Sequence, residues 1–195
     1  MFAKLSKKHM CVTLSIVITL LLLTFVLLEK GHIGVWMDGF RFFNNDSYSY
    51  RNEILQGKYF IDIDLENIEA NIGKVLFEHN NSKIVVYDIT NNNGVYEIVF
   101  RSYGNYSIDG GILLSGIKHT KTDEGYLPDL ITTAYTEYNG KVYEANISTI
   151  SNLIYKDGDA FGFYLFPYAD VVEEGSNNVK IKIDNLCMNE WIKNR

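Results

Sequence analysis

Residues Met10 to Leu28 read MCVTLSIVITLLLLTFVLL, a run without a charge, a proline or a glycine. As a helix rising about 1.5 Å per residue, it covers about 28 Å, close to a hydrocarbon core of about 30 Å. A helix buried in a soluble core carries a polar stripe at helical spacing. Here Thr13, Ser15, Thr19 and Thr24 are the only hydroxylated residues, and they fall on several faces. The run predicts a transmembrane segment over residues 10–28. Residues 1–9 then form a short basic tail, and residues 31–195 a separate domain.

Orientation follows from charge. Lys4, Lys7 and Lys8 precede the run, whereas Glu29 and Lys30 cancel after it. The positive-inside rule puts the N-terminus in the cytoplasm and residues 31–195 outside a single-pass cell membrane. The apolar region exceeds the about 7–15 residues of a cleaved signal peptide. No small-x-small site follows it, since the exit reads Leu27-Leu28-Glu29-Lys30-Gly31-His32. An uncleaved signal anchor is therefore expected. A pilin-like leader fits less well: no glycine precedes the run, and no glutamate stands early in it. With Cys11 at the inner edge and Cys187 outside, the two cysteines cannot pair within one molecule. Cys187 lies between Leu186 and Met188 and reads as a buried, inert thiol.

Charge also narrows the partners. Residues 1–30 hold four lysines and one glutamate, so the outer part carries nine net negative charges of the chain's mixed total. Nucleic acid is excluded as the main partner, because phosphate binding needs clustered Lys and Arg. The bilayer is the partner expected for residues 10–28, and a protein or glycan for the rest. No motif calls for a cofactor.

The outer part holds all 14 tyrosines and nine of the 11 phenylalanines, a β-protein composition. Tyr59, Ile61, Ile63 and Leu65 alternate with Asp62, Asp64 and Glu66. Val179, Ile181 and Ile183 alternate with Lys180, Lys182 and Asp184. Ile84–Tyr87 and Val95–Phe100 flank Asn93-Gly94, and Ile131–Tyr138 and Lys141–Ile147 flank Asn139-Gly140. Asn-Gly is the strongest short hairpin signal. Turn signals every 8–15 residues delimit eight or nine strands. The fold expected is mainly β, an antiparallel β-sandwich, with a partly open β-barrel as the alternative. Leu65, Ile68 and Ile72 also fit a short helix capped by Asp64 and ended by Gly73, while Ile68, Ala70 and Ile72 fit a strand. The aromatic stretch 31–57 reads either as the start of the first strand or, at Trp36 and Phe40, as headgroup-level anchors.

Chemistry is sparse. Asp62, Asp64 and Glu66 share one face of the expected strand and form a candidate hard-cation site, although Asn67 and Gly73 break the calcium-loop pattern. Ser115, His119 and Asp123 stand in the order nucleophile, base, orienter. Four residues of strand cover about 13 Å, too far for proton transfer at about 3 Å. Tyr103, Asn105, Tyr106, Asp123, Glu124 and Tyr126 form a candidate aromatic, hydrogen-bonding surface for a ligand, with Tyr126 at an exposed loop tip.

Three functional classes remain. The first is a membrane-tethered module that recognises a protein, peptide or cell-wall glycan. The second is a surface hydrolase using carboxylates drawn from Asp62, Asp64, Asp123, Glu124 and Asp129. The third is an accessory or immunity-type subunit whose helix contacts a larger membrane protein through Thr13, Ser15 and Thr19.

Overall fold

The computed structural model describes residues 7–29, 31–167 and 178–195. Lys4, Lys30 and the side chains of Lys7, Lys8 and Cys11, weighed above, lie outside what it describes. Helix α1 (Lys7–Glu29) contains the apolar run, and the window Val12–Glu29 buries none of its surface against the protein. It is long and apolar enough to cross a membrane. Gly31, left-handed at φ 78°, joins it to a short helix α2 (His32–Asp38), followed by a 3-10 helix over Gly39–Phe43. Residues 31–43 are thus helical and do not begin the first strand. The reason lies in packing. Val35, Phe40 and Phe43 are buried at turn-like spacing, whereas a strand would bury alternate residues.

Thirteen strands follow among the described residues: β1 (Tyr48–Asp64), β2 (Val75–His79), β3 (Ser82–Asn92), β4 (Val95–Tyr103), β5 (Asn105–Ser107), β6 (Gly110–Ser115), β7 (Ile117–Thr122), β8 (Gly125–Leu130), β9 (Thr133–Tyr138), β10 (Lys141–Glu144), β11 (Asn146–Ile150), β12 (Ala160–Tyr164) and β13 (Asn178–Lys193). One sheet runs β10-β9-β13-β6-β5, with β1 also paired along β13; a second runs β11-β12-β4-β3-β2. All pairings are antiparallel, and the curvature is that of a half-barrel. β7 and β8 form a separate two-stranded hairpin.

Long strand β13 organises the first sheet. Its Lys180–Asp184 segment pairs with β9 and its Cys187–Ile192 segment with β6. At the handover Asn185 takes φ 63°, and the facing strand β1 shifts register between Leu55 and Lys58. One irregularity on each strand lets the ribbon bend, as bulges do. The segment Leu186–Trp191 therefore continues the last strand.

Both Asn-Gly hairpins form as expected. Asn93 and Gly94 have φ of 54° and 87°, and Asn139 and Gly140 have 49° and 73°, the positive values of a type I′ turn. Between β1 and β2, residues Ile68–Asn71 take a 3-10 helix. Asp64, the expected cap, does not cap it: its Oδ1 accepts the backbone N–H of Glu66 and Asn67 at 2.9 and 3.1 Å, an Asx turn ahead of the helix, whose N-cap position is Asn67. Buried Asn71 donates to the carbonyls of Asp64, Asn67 and Ile68 and accepts from Asp64 N–H and Lys74 Nζ.

The main core lies between the two large sheets. Ile61, Ile63, Ile181 and Ile183 come from one, and Ile84, Val86, Ile98, Phe100, Phe161 and Phe163 from the other. A second, aromatic core gathers Val35, Phe40, Phe43, Tyr48, Leu113, Tyr126, Leu153 and Trp191. It fastens the helical segment after the anchor to the end of β13. Trp191 lies with its ring centroid 4.7 Å from Phe40 and 5.8 Å from Tyr126.

Candidate functional site

The surface expected from Tyr103, Asn105, Tyr106, Asp123, Glu124 and Tyr126 does not form as one patch. Tyr103 ends β4 and packs its ring 4.6 Å from the Arg101 guanidinium. Arg101 also lies over Tyr155 at 4.0 Å and donates to Asp157 at 2.8 Å. Tyr103 thus belongs to an Arg cage that ties residues 155–157 to the second sheet. Tyr126 is not an exposed loop tip. It sits near the start of β8 with its ring turned inward, 5% exposed, and its hydroxyl accepts Trp191 Nε1–H at 2.7 Å. Burial raises its pKa from 10.0 to about 12. Asp123 and Glu124 are exposed in the β7–β8 turn.

Two of the shallow hollows border residues of the expected surface. One, of about 370 Å³, is lined by Asn105, Tyr106, Ser107, Asp109, Gly110, Gly111, Ile112, Glu190, Trp191 and Ile192. The other, of about 340 Å³, is lined by residues including Arg41, Glu124, Tyr126 and Ile154. The first carries the better recognition chemistry. The β5–β6 hairpin turns tightly at Gly110, where φ is +131° and a Cβ would lie 2.0 Å from the Trp191 carbonyl oxygen. Only glycine fits there. Its neighbour Gly111 would put a Cβ 2.8 Å from the Phe40 ring. These glycines let the hairpin lie flat on β13 and leave a floor bounded by Tyr106 and two carboxylates, Asp109 and Glu190. Tyr106 stands edge-on against Phe40 at 5.0 Å, so its ring is held in place. Glu190 Oε2 accepts from Arg51 Nε at 2.6 Å. The hollow offers an aromatic face, an amide and two acceptor carboxylates. That set suits ligands rich in hydroxyl or ammonium donors.

The proposed cation site at Asp62, Asp64 and Glu66 does not assemble. β1 ends at Asp64, so Glu66 lies beyond the strand, in a bend. Asp64 turns its carboxylate back on its own chain in an Asx turn. Among the described residues, no group of three His, Cys, Asp or Glu side chains is placed to hold a metal ion.

Ser115 and His119 do meet a common carboxylate, and it is Asp159. Ser115 Oγ donates to Asp159 Oδ1 at 2.8 Å, and His119 Nε2 lies 2.7 Å from Asp159 Oδ2. Asp123 is remote in the β7–β8 turn. The order is wrong for a nucleophile, because the carboxylate, not the imidazole, stands between the other two groups. Ser115 Oγ also accepts the Ile117 N–H at 2.9 Å. All three side chains are fully buried. The cluster is a structural knot with no opening for substrate. It continues through Asn189, whose Oδ1 accepts from His119 N–H at 3.0 Å and Tyr50 hydroxyl at 2.6 Å, and whose Nδ2 donates to the Ile117 carbonyl at 2.9 Å. Cys187 is buried beside it, and burial pushes its thiol from 9.0 up to about 12, consistent with an inert cysteine.

Sequence reasoning missed Asp159, Asn189 and Tyr50. Asp159 reads as part of a turn, Asp157-Gly158-Asp159, and Asn189 as one of many asparagines. Their partners lie 40 or more residues away in the chain. The only local hint was a histidine and a serine among apolar residues at the β6–β7 junction.

No protein-family model, curated protein or solved structure matches the chain.

Proposed function

We propose that the chain is a membrane-tethered recognition module. Its anchor is α1, its basic tail faces the cytoplasm, and its β domain sits outside the cell, binding a protein, peptide or glycan in the hollow around Tyr106. One observation carries this reading. No residue of the window Val12–Glu29 is buried, so its apolar surface is left for a bilayer to cover. The lysines before the apolar run support the orientation.

Two further features favour recognition over the other classes. Asp62 is exposed on β1, apart from the exposed Asp123, Glu124 and Asp129 of the β7–β8 hairpin, and the Asp64 carboxylate is spent in an Asx turn. Carboxylate-dependent glycoside hydrolysis uses two carboxylates flanking one bond. On α1, Thr19 Oγ1 donates to the Ser15 carbonyl at 2.9 Å and Thr24 Oγ1 to the Leu20 carbonyl at 2.8 Å. Hydroxyls satisfied within their own helix give little drive for helix pairing.

The test uses the full chain in nanodiscs, with chitosan oligomers and lysine-rich peptides as probes. Tyr106→Ala and Asp109→Asn are expected to weaken binding at least about tenfold, as losing one aromatic or charged contact does. Binding unchanged in both variants sinks the site. A reporter fused after Arg195 that is active only in the cytosol sinks the orientation.

A further inference from the structure

The joint between α1 and the globule is short and firmly built. Gly31 N–H donates to the Leu28 carbonyl, and Val35 N–H to the Gly31 carbonyl, both at 3.0 Å. The Phe42 ring lies across the backbone of both glycines; a Cβ on Gly34 would fall 2.2 Å from it. Val35 is buried in the aromatic core. On the other side of α2, Lys156 Nζ lies 5.3 Å from the Trp36 ring and donates to the Trp36 carbonyl at 3.3 Å, while Phe40 N–H donates to the Lys156 carbonyl at 3.0 Å. Lys156 in turn belongs to the loop held by the Arg101–Asp157 pair. Helix α2 is therefore part of the globule and not a loose tether.

Yet α2 turns two large apolar side chains outward. Trp36 is 71% exposed and Met37 60% exposed, and Ile154 on the gripping loop is 58% exposed. Trp36 follows the last residue of α1 by seven positions. Two linker residues at about 3.5 Å each and a helix rising about 1.5 Å per residue place it at most about 15 Å beyond the end of the span. The headgroup layer of one leaflet is about 5–8 Å deep. Covalent reach alone keeps α2 beside that layer, and an indole with a partnering ammonium is the side-chain pair that accumulates there.

We infer that the Trp36–Met37 face of α2, with Ile154 and Lys156, seats in the lipid headgroup layer and fixes how the globule stands on the bilayer. This rests on the reading that α1 spans the membrane. The occupant is the outer surface of the same bilayer. A seated α2 holds the Tyr106 hollow close to the membrane, because Tyr106 packs on Phe40 of the 3-10 helix that follows α2. The ligand is then presented within reach of the headgroups.

The test is fluorescence of the full chain in phosphatidylcholine vesicles brominated either near the headgroup or deep in the acyl chains. Trp36 is expected to be quenched by the shallow bromines, and Trp36→Phe to remove that quenching while the buried Trp191 still reports a native fold. A second variant, Phe25→Trp in the Trp36→Phe background, reads α1 separately and is expected to be quenched by the deep bromines. Deep quenching at position 25 with no shallow quenching at Trp36 overturns the seating and leaves the anchor standing. Loss of both overturns the seating and the membrane-spanning reading together.

Discussion

The two cores of this globule are built by different rules. The sheet-to-sheet core takes its members from alternating strands, so Ile61, Ile63, Ile181 and Ile183 occupy every second position and face Ile98, Phe100, Phe161 and Phe163. The aromatic core draws its residues from six places: Val35, Phe40 and Phe43 after α1, Tyr48 at the start of β1, Leu113 in β6, Tyr126 in β8, Leu153 in a loop and Trp191 in β13. The first core holds the sheets together. The second holds the sheets to the helical segment that follows α1. Rings suit the second task because one ring fills what several aliphatic residues from a regular strand would fill, and edge-to-face contacts add direction. Between the two cores lies the Ser115–Asp159–His119–Asn189 knot: His119 faces Tyr126 at 6.4 Å, and Asp159 directly precedes Ala160 and Phe161 of the main core.

If the knot is the seam that joins the cores, breaking it should cost as much as removing a whole buried ring. Asp159→Ala leaves His119 and Ser115 buried without their common acceptor. Each buried polar group left without a partner costs about 1–3 kcal/mol, so the two together cost about 2–6 kcal/mol. The expected outcome is a full-chain protein in detergent that unfolds at much lower urea concentration, with Trp191 emission and strand circular dichroism lost together. A variant that retains wild-type stability would show that the seam is idle and that the two cores are one.

Phe40→Ala and Phe163→Ala sharpen the contrast further. Each truncates a fully buried ring, and each should cost about 3–5 kcal/mol. Only the first should also free α2. Limited proteolysis in nanodiscs should cut the Phe40→Ala chain around residues 30–38 well before the globule, and should leave that segment intact in Phe163→Ala. Equal cutting in both variants would mean that α2 is not held by the aromatic core.

The contrast also explains what could be read from the chain alone. The alternation at 59–65 and 179–184, and the two Asn-Gly turns, are local signals, and each places its strands correctly. The apolar run announces α1 by composition. Tyr126 was misplaced because a tyrosine next to Asp123-Glu124-Gly125 has the local look of a loop tip. What turns it inward is Trp191, 65 residues later, whose indole N–H needs an acceptor. Trp36 and Phe40 were treated as a pair; the fold separates them, Trp36 outward and Phe40 into the core, because α2 ends at Asp38 and the 3-10 helix redirects the chain. The Asp62–Asp64–Glu66 face failed for the opposite reason. A local hydrogen bond, Asp64 closing an Asx turn, stopped the strand before Glu66 could share it.

The smallest effect near neutral pH, and the most selective, comes from the titrating groups around the seam. Cys187 rises from 9.0 to about 12 and Tyr126 from 10.0 to about 12, both chiefly because burial disfavours the charged form. In the unfolded chain these groups lose their protons first as pH rises, so the unfolded state binds fewer protons and stability falls with pH. Their contribution is whole below about pH 9 and is lost progressively toward pH 12. Urea midpoints of the full chain in detergent should therefore stay level up to about pH 8.5 and then decline. Cys187→Ala should flatten the first part of that decline and Tyr126→Phe the later part, although both lower the midpoint at pH 7. Both groups border the same seam, one beside Asn189 and one against His119. A slope unchanged by either substitution would place the alkaline weak point elsewhere, away from the junction of the two cores.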